Sequence, residues 1–151
     1  MRVLLDTSIL VAALIETHTF HELAFNWLEK AKDKSYEGVI SAHSLAELYA
    51  ILTRLPVQPT ISPKEAQQLI KASVIDVFEI VPLLPRDYDS VIEHLANLRI
   101  IGGAVYDGLI MYAAFKVDVD LIVTLNEKDF RRVYPELATK VVPPEFKQPA
   151  D

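Results

Sequence analysis

The sequence predicts an α/β fold: three layers, with a central, mainly parallel sheet flanked by helices. Three observations predict it. Short runs of branched apolar residues recur, at Val3-Leu4-Leu5, Val39-Ile40 and Leu121-Ile122-Val123, and a strand apolar at every position is one buried on both faces. Between them lie longer stretches with apolar residues at helical spacing, the alternation that gives a sheet covered by helices. Polar residues stand just beyond two of the runs, Asp6 after the first and Asn126 after Leu121-Thr124. In such sheets, ligands bind outside the carboxyl ends of the strands.

The elements follow in order. Val3 to Leu5 is a buried strand ended by Asp6. Thr7 and Ser8 open a helix to about Ile15, with Ile9, Leu10, Ala13 and Leu14 on its apolar side. Phe20 to Lys34 is a second helix, striped by Leu23, Ala24, Trp27, Leu28 and Ala31, and Gly38 to Ser41 is a second strand. A helix runs from about His43 to Arg54 and stops before Pro56; Pro56 to Ile61 is a Pro-rich loop. Ser62-Pro63-Lys64-Glu65 supplies an N-cap with proline at the first helical position, starting a helix to about Ser73. Asp76 to Val81 reads as a third strand and Asp87 to Leu98 as a helix. Gly102-Gly103 breaks the chain before a helix from Val105 to Phe115. Leu121 to Thr124 is a fourth strand, Glu127 to Val133 a short helix, and Lys140 to Val142 a last, edge strand. The tail from Pro143 is Pro-rich and reads as loose.

A length of 151 residues fits one domain with a substantial core, expected over residues 1–142 with 143–151 as the tail. Apolar residues make up 51% and charged residues 24%, a globular composition. The absence of cysteine excludes disulfide and thiol chemistry and fits a cytoplasmic protein. The N-terminal residues do not read as a secretory signal, and no apolar stretch is long enough for a membrane span. A net charge of −6 excludes wrapping nucleic acid by bulk electrostatics. It leaves room for a catalytic contact in which a metal supplies the positive charge.

Three carboxylates stand in apolar surroundings. Asp6 closes Val3-Leu4-Leu5, Glu47 interrupts Ser44-Leu45-Ala46-Glu47-Leu48, and Asp107 interrupts Val105-Tyr106-Asp107-Gly108-Leu109. Neither Glu47 nor Asp107 has a Lys or Arg at helix spacing, and Arg2, four residues before Asp6, is separated from it by a strand. A charge in such a setting is costly unless paired or bound to a cation, and three on separate segments suggest one acidic site for Mg²⁺ or Mn²⁺. Such an ion would activate water and neutralise charge on a phosphate, with Thr7, Ser8 or Thr124 positioning that water or a phosphate oxygen. Each residue also has a plainer reading. Asp6 can cap the helix that follows. Ser44-Leu45-Ala46-Glu47 matches a capping box, which would engage Glu47 with a backbone N–H. Asp107 lies where a helix dipole favours an acid. Asn126-Glu127-Lys128-Asp129 resembles a capping arrangement, with Asn126 as N-cap and Asp129 as a structural residue.

Other signals are weaker. His18 and His21 lie one turn apart without a third metal ligand and read as solvated surface. His43 lies one turn from Glu47. Arg54, Lys116, Lys128, Arg131 and Arg132 are candidates for an RNA path, although scattered basic residues are usually surface. There is no GxGxxG, phosphate loop or Ser/His/Asp signature.

Four segments, in order and nearly spanning the chain, resemble the PIN domain family. They are Val3-Leu4-Leu5-Asp6-Thr7-Ser8, Ser44-Leu45-Ala46-Glu47-Leu48, Tyr106-Asp107 after a glycine pair, and Val123-Thr124-Leu125-Asn126-Glu127-Lys128-Asp129-Phe130. More narrowly, the chain is similar to the toxin of a VapBC toxin–antitoxin pair. The resemblance implies a metal-dependent endoribonuclease using Mg²⁺ or Mn²⁺, with RNA as substrate, a small antitoxin as partner, and homodimerisation. It places Asp6, Glu47 and Asp107 at the family's acidic metal positions. Asn126 stands where many members carry a fourth acid, so a second metal site would need Asp129 to reach in. Two alternatives remain. One is a PIN-like binding module without turnover, against which the intact acids count. The other is a metal-dependent phosphatase on a similar fold, against whose aspartyl-phosphate version the Asp6-Thr7-Ser8 sequence counts, since it lacks DxD.

Overall fold

A computed structural model describes residues 1–147. Strands β1 (Arg2–Leu5), β2 (Glu37–Ser41), β3 (Glu79–Val81), β4 (Leu121–Val123) and β5 (Val141–Val142) form one sheet in the order β3-β2-β1-β4-β5. Every pairing is parallel. The helices are α1 (Thr7–Leu14), α2 (His21–Lys32), α3 (Ala42–Leu52), α4 (Pro63–Ile70), α5 (Pro85–Asn97), α6 (Ala104–Lys116) and α7 (Glu127–Val133).

The side-chain alternation of the strands sorts the helices into two layers. Val3, Leu5, Ile40 and Val123 join a core with α1 to α4, through residues such as Ile9, Trp27, Leu48 and Ile70. Leu4, Val39, Val81 and Ile122 face the other way, into a core with α5 to α7 that holds Val91, Ile110, Met111 and Phe130. β1 is central, and its apolar residues are fully buried, which is why it shows no polar alternation. The chain adds β2 and β3 on one side of β1, then crosses to add β4 and β5 on the other. The order therefore reverses between β1 and β4, and at such a switch point the connections leave a crevice at the carboxyl ends.

Several boundaries differ from the sequence reading. β3 begins at Glu79 and not at Asp76, because Lys71–Ile75 forms a π-helical turn after α4. The N–H groups of Asp76 and Phe78 bond back to the carbonyls of Lys71 and Val74 and cannot join a ladder. α5 starts at Pro85, which takes the first helical position, so Asp87 lies inside the first turn. Pro135–Lys140, part of which was expected in the last strand, is a 3₁₀ helix. The tail expected to be loose is tied where it starts: Pro144 is buried and its carbonyl accepts the Trp27 indole N–H at 2.9 Å. Residues 148–151 of that tail lie outside the described residues. Among the described residues, no helix is long and apolar enough to cross a membrane.

Candidate active site

The reversal between β1 and β4 puts Asp6 beside Thr124. The Asp6 N–H continues the ladder to the Val123 carbonyl at 3.0 Å, so its side chain emerges at the sheet's edge. Oδ2 of Asp6 accepts from the Thr124 hydroxyl at 2.9 Å, the Ser8 hydroxyl at 2.7 Å and the Ser8 N–H at 3.3 Å. Asp6 is thus the N-cap of α1 and also part of a polar network. Thr124 Oγ1 in turn accepts the Asn126 N–H at 3.0 Å, and Ser8 Oγ accepts the Leu125 N–H at 3.1 Å. Of the hydroxyls expected to position water or phosphate, those of Ser8 and Thr124 orient Asp6 and lock the β4–α7 turn against α1.

Glu47 is not part of a capping box. α3 starts earlier than expected, with Ser41 as N-cap accepting the His43 N–H at 3.3 Å. Ser44 is the third residue of the helix and Glu47 lies a turn further in, beyond reach of the free N–H groups. Ser44 turns inward and is fully buried. Thr7 Oγ1 lies 3.0 Å from Ser44 Oγ and 3.1 Å from Glu47 Oε1. A hydroxyl has one proton and an ionised carboxylate only accepts, so Thr7 donates to Glu47 while Ser44 donates to Thr7. This relay ties α3 to α1. Ser44 is the residue whose role the sequence concealed, since its link is to a residue 37 positions away. His43 Nε2 stands 3.8 Å from Glu47 Oε1.

Asp107 lies in the first turn of α6. Its carboxyl is pushed up to about 6, first by burial and then by the charges of Asp6, Asp129 and Glu47, with Arg132 opposing. Burial also raises Asp6, against the hydrogen bonds from Ser8 and Thr124. Glu47 is raised by burial and by Asp6, against His43 and Thr7. The carboxylates are therefore close enough to repel one another. Among the described residues, none of Asp6, Glu47 and Asp107 forms an ion pair with Lys or Arg. Nor are any three His, Asp or Glu side chains placed as they stand to hold an ion. The donor set nevertheless suits a hard cation, being oxygen throughout, and closing on an ion would need rotation of the carboxylates.

Asn126 occupies the N-cap position of α7, but its side chain makes no capping bond and is exposed. Asp129 is also exposed and acts on Asp107 through charge alone. The other candidates are engaged elsewhere. Lys116 pairs with Asp87 at 2.7 Å, and Arg131 donates to the Val141 carbonyl at 2.9 Å. His18 Nδ1 accepts the Phe20 N–H, and His21 Nδ1 lies 2.9 Å from the Ala12 carbonyl. Of the basic residues considered for an RNA path, Arg132 is the one whose charge reaches Asp107.

The family model that describes the PIN domain matches residues 3–135. Ribonuclease VapC27 of Mycobacterium tuberculosis is 35% identical over 111 residues, covering 72% of this chain and 74% of that protein. Ribonuclease VapC40 of the same species is 32% identical over 129 residues, covering 85% and 87%. The solved structure of VapBC2 from Rickettsia felis, bound to a DNA fragment from their promoter, superposes with a TM-score of 0.64 at 22% identity over 95% of this chain and 98% of that one.

Proposed function

The chain belongs to the PIN domain family, in its VapC-type branch, and from that premise we propose that it is a metal-dependent endoribonuclease acting as the toxin of a toxin–antitoxin pair. The observation that carries the reading is that Asp6, Glu47 and Asp107 act on one another through charge around the β1/β4 switch point while, among the described residues, no Lys or Arg pairs with them. Such a site carries more negative than positive charge, and its oxygen donors match Mg²⁺ or Mn²⁺. A bound ion supplies an acidified water and offsets charge developing on a phosphate.

The chain's own residues do the rest. Asp6, Asp107 and Glu47 would hold the ion. Ser8 and Thr124 orient the Asp6 carboxylate, and the Ser44–Thr7 relay orients Glu47. The Asn126 amide, free of capping, is available to hydrogen-bond water or a phosphate oxygen. A cognate antitoxin would place an Arg on the same carboxylates, since guanidinium pairs with them bidentately. Exposed apolar side chains on and near α5 and α6, among them Ile92, Ile101 and Phe115, favour a homodimer. The test is metal dependence. Purified protein should cleave single-stranded RNA in Mg²⁺ or Mn²⁺ and stop in EDTA; cleavage that survives rigorous metal removal overturns the mechanism.

A further inference from the structure

The acidic site has an aromatic neighbour that the chemistry above does not use. His43 precedes Glu47 by one turn of α3, and Tyr106 precedes Asp107 on α6. Their rings are stacked, with centroids 5.2 Å apart and planes 3° from parallel. His43 Nε2 is buried without a hydrogen-bond partner, and its approach to Glu47 is a 3.8 Å ion-pair distance. The stack and the Glu47 charge, not a hydrogen bond, therefore set the imidazole's position. Tyr106 remains 51% exposed even with His43 against it.

A flat, half-open phenol ring held rigid beside a catalytic centre is what an unpaired nucleobase stacks on. The protein also needs such a contact. With a net charge of −6 it has little bulk attraction for a polyanion, and Arg132 acts on the cluster through Asp107. Stacking is insensitive to charge and tolerant of sequence. We infer that the His43–Tyr106 stack is a platform on which a base of single-stranded RNA, next to the phosphate to be cut, lies against Tyr106 and so registers the strand over Asp6, Glu47 and Asp107. Tyr106 touches the substrate; His43 is a positioning residue that acts through Tyr106. The inference rests on the ribonuclease reading.

The test measures kcat and KM in Mn²⁺ on a short single-stranded RNA that the wild-type protein cleaves. Tyr106→Ala should raise KM about tenfold, the scale of one lost base stack, with kcat little changed. Mn²⁺ binding without RNA, read by calorimetry, should stay at the wild-type value. Tyr106→Phe should keep the wild-type KM. His43→Phe, which preserves a ring under Tyr106, should stay near wild type, whereas His43→Ala should raise KM. If His43→Phe is as impaired as His43→Ala, the stack does not position Tyr106 and His43 loses its assigned role. A second measurement needs no protein variant: one abasic nucleotide is moved along the RNA. A single position should cost the wild-type protein about tenfold and cost Tyr106→Ala nothing further, since the two changes remove the same contact. A wild-type protein that cleaves while Tyr106→Ala keeps its KM and its abasic sensitivity overturns the platform alone. A wild-type protein that cleaves no RNA in Mn²⁺ overturns the ribonuclease reading, and the platform with it.

Discussion

Asp107 and Asp87 both lie in the first turn of a helix, on α6 and α5, and both helices pack on the same face of the sheet. Their settings are opposite. Asp87 is 3% exposed and accepts the Leu84 N–H at 2.7 Å and the Lys116 ammonium at 2.7 Å. Lys116 and that backbone bond hold its carboxyl below the ordinary range. Among the described residues Asp107 has no such partner, and it is raised to about 6 by burial and by its acidic neighbours. A carboxylate that stabilises the fold is satisfied by the fold. One that stays raised by burial and by the charges of Asp6, Asp129 and Glu47 is a candidate for function.

Substitution should separate the two roles. Asp107→Asn removes a charge from a repelling cluster, so RNA cleavage should fall by at least about a hundredfold, beyond the loss expected for residues outside the metal's ligands. Stability to urea in EDTA should stay the same or rise slightly. Asp87→Ala should do the reverse. It leaves the Leu84 N–H without its acceptor and the Lys116 ammonium with the Pro82 carbonyl alone, costing roughly 2 kcal/mol, while the protein that remains folded keeps its activity. Urea unfolding and cleavage rates on both variants check this. A strongly destabilised but active Asp107→Asn protein would sink the metal-site assignment of that residue.

The same contrast appears as pH changes. Asp107's carboxyl is higher in the folded state than its ordinary 3.8, so the folded state binds the proton more tightly. Its contribution to metal-free stability is full below about pH 4 and is lost as pH rises through about 6. Asp87's carboxyl is lower than 3.8 when folded, so its contribution is present above that value and is lost as pH falls through the depressed one. Unfolding midpoints in EDTA should therefore decline from about pH 4 to pH 6 and decline again toward strong acid. Asp107→Asn should flatten the first limb and Asp87→Ala the second. An unchanged first limb in Asp107→Asn means that the charge interactions at the switch point are too weak to matter.

What was legible in the sequence follows the same division between local and distant causes. The buried strands could be read because burial on both faces leaves a continuous apolar run. Asp6, Glu47 and Asp107 stood out because each interrupts or closes an apolar run and no Lys or Arg lies at helix spacing within the helices that carry Glu47 and Asp107. Glu47's capping box was misleading because Ser41, three residues before Ser44, is an equally good cap and starts the helix first. The Ser44–Thr7 relay and the His43–Tyr106 stack join α3 to other helices, and spacing within a helix carries no information about which side chain a neighbouring helix will present. The π-helical turn at Lys71–Ile75 was likewise hidden, since Lys71-Ala72-Ser73-Val74-Ile75 continues the pattern of α4.

Asn126 offers the finest test of the comparison, because the resemblance to PIN domains sets this amide where an acid is expected. Its side chain is exposed and makes no capping bond, while its backbone N–H is already fixed by Thr124. Asn126→Asp thus adds a charge at nearly constant shape. Asn and Asp are about equal as N-caps, so stability should move little and a change in ion binding reports on charge alone. A carboxylate about 4 Å from a divalent ion in a solvated setting gains on the order of 1–2 kcal/mol. Mn²⁺ should therefore bind roughly tenfold more tightly by calorimetric titration, since about 1.4 kcal/mol is a factor of ten, or with a second ion per chain if Asp129 rotates in. Equal affinity and equal stoichiometry in the two proteins would place residue 126 outside the ion's shell. Its amide would then serve the substrate, and the acidic site would consist of Asp6, Glu47 and Asp107 alone.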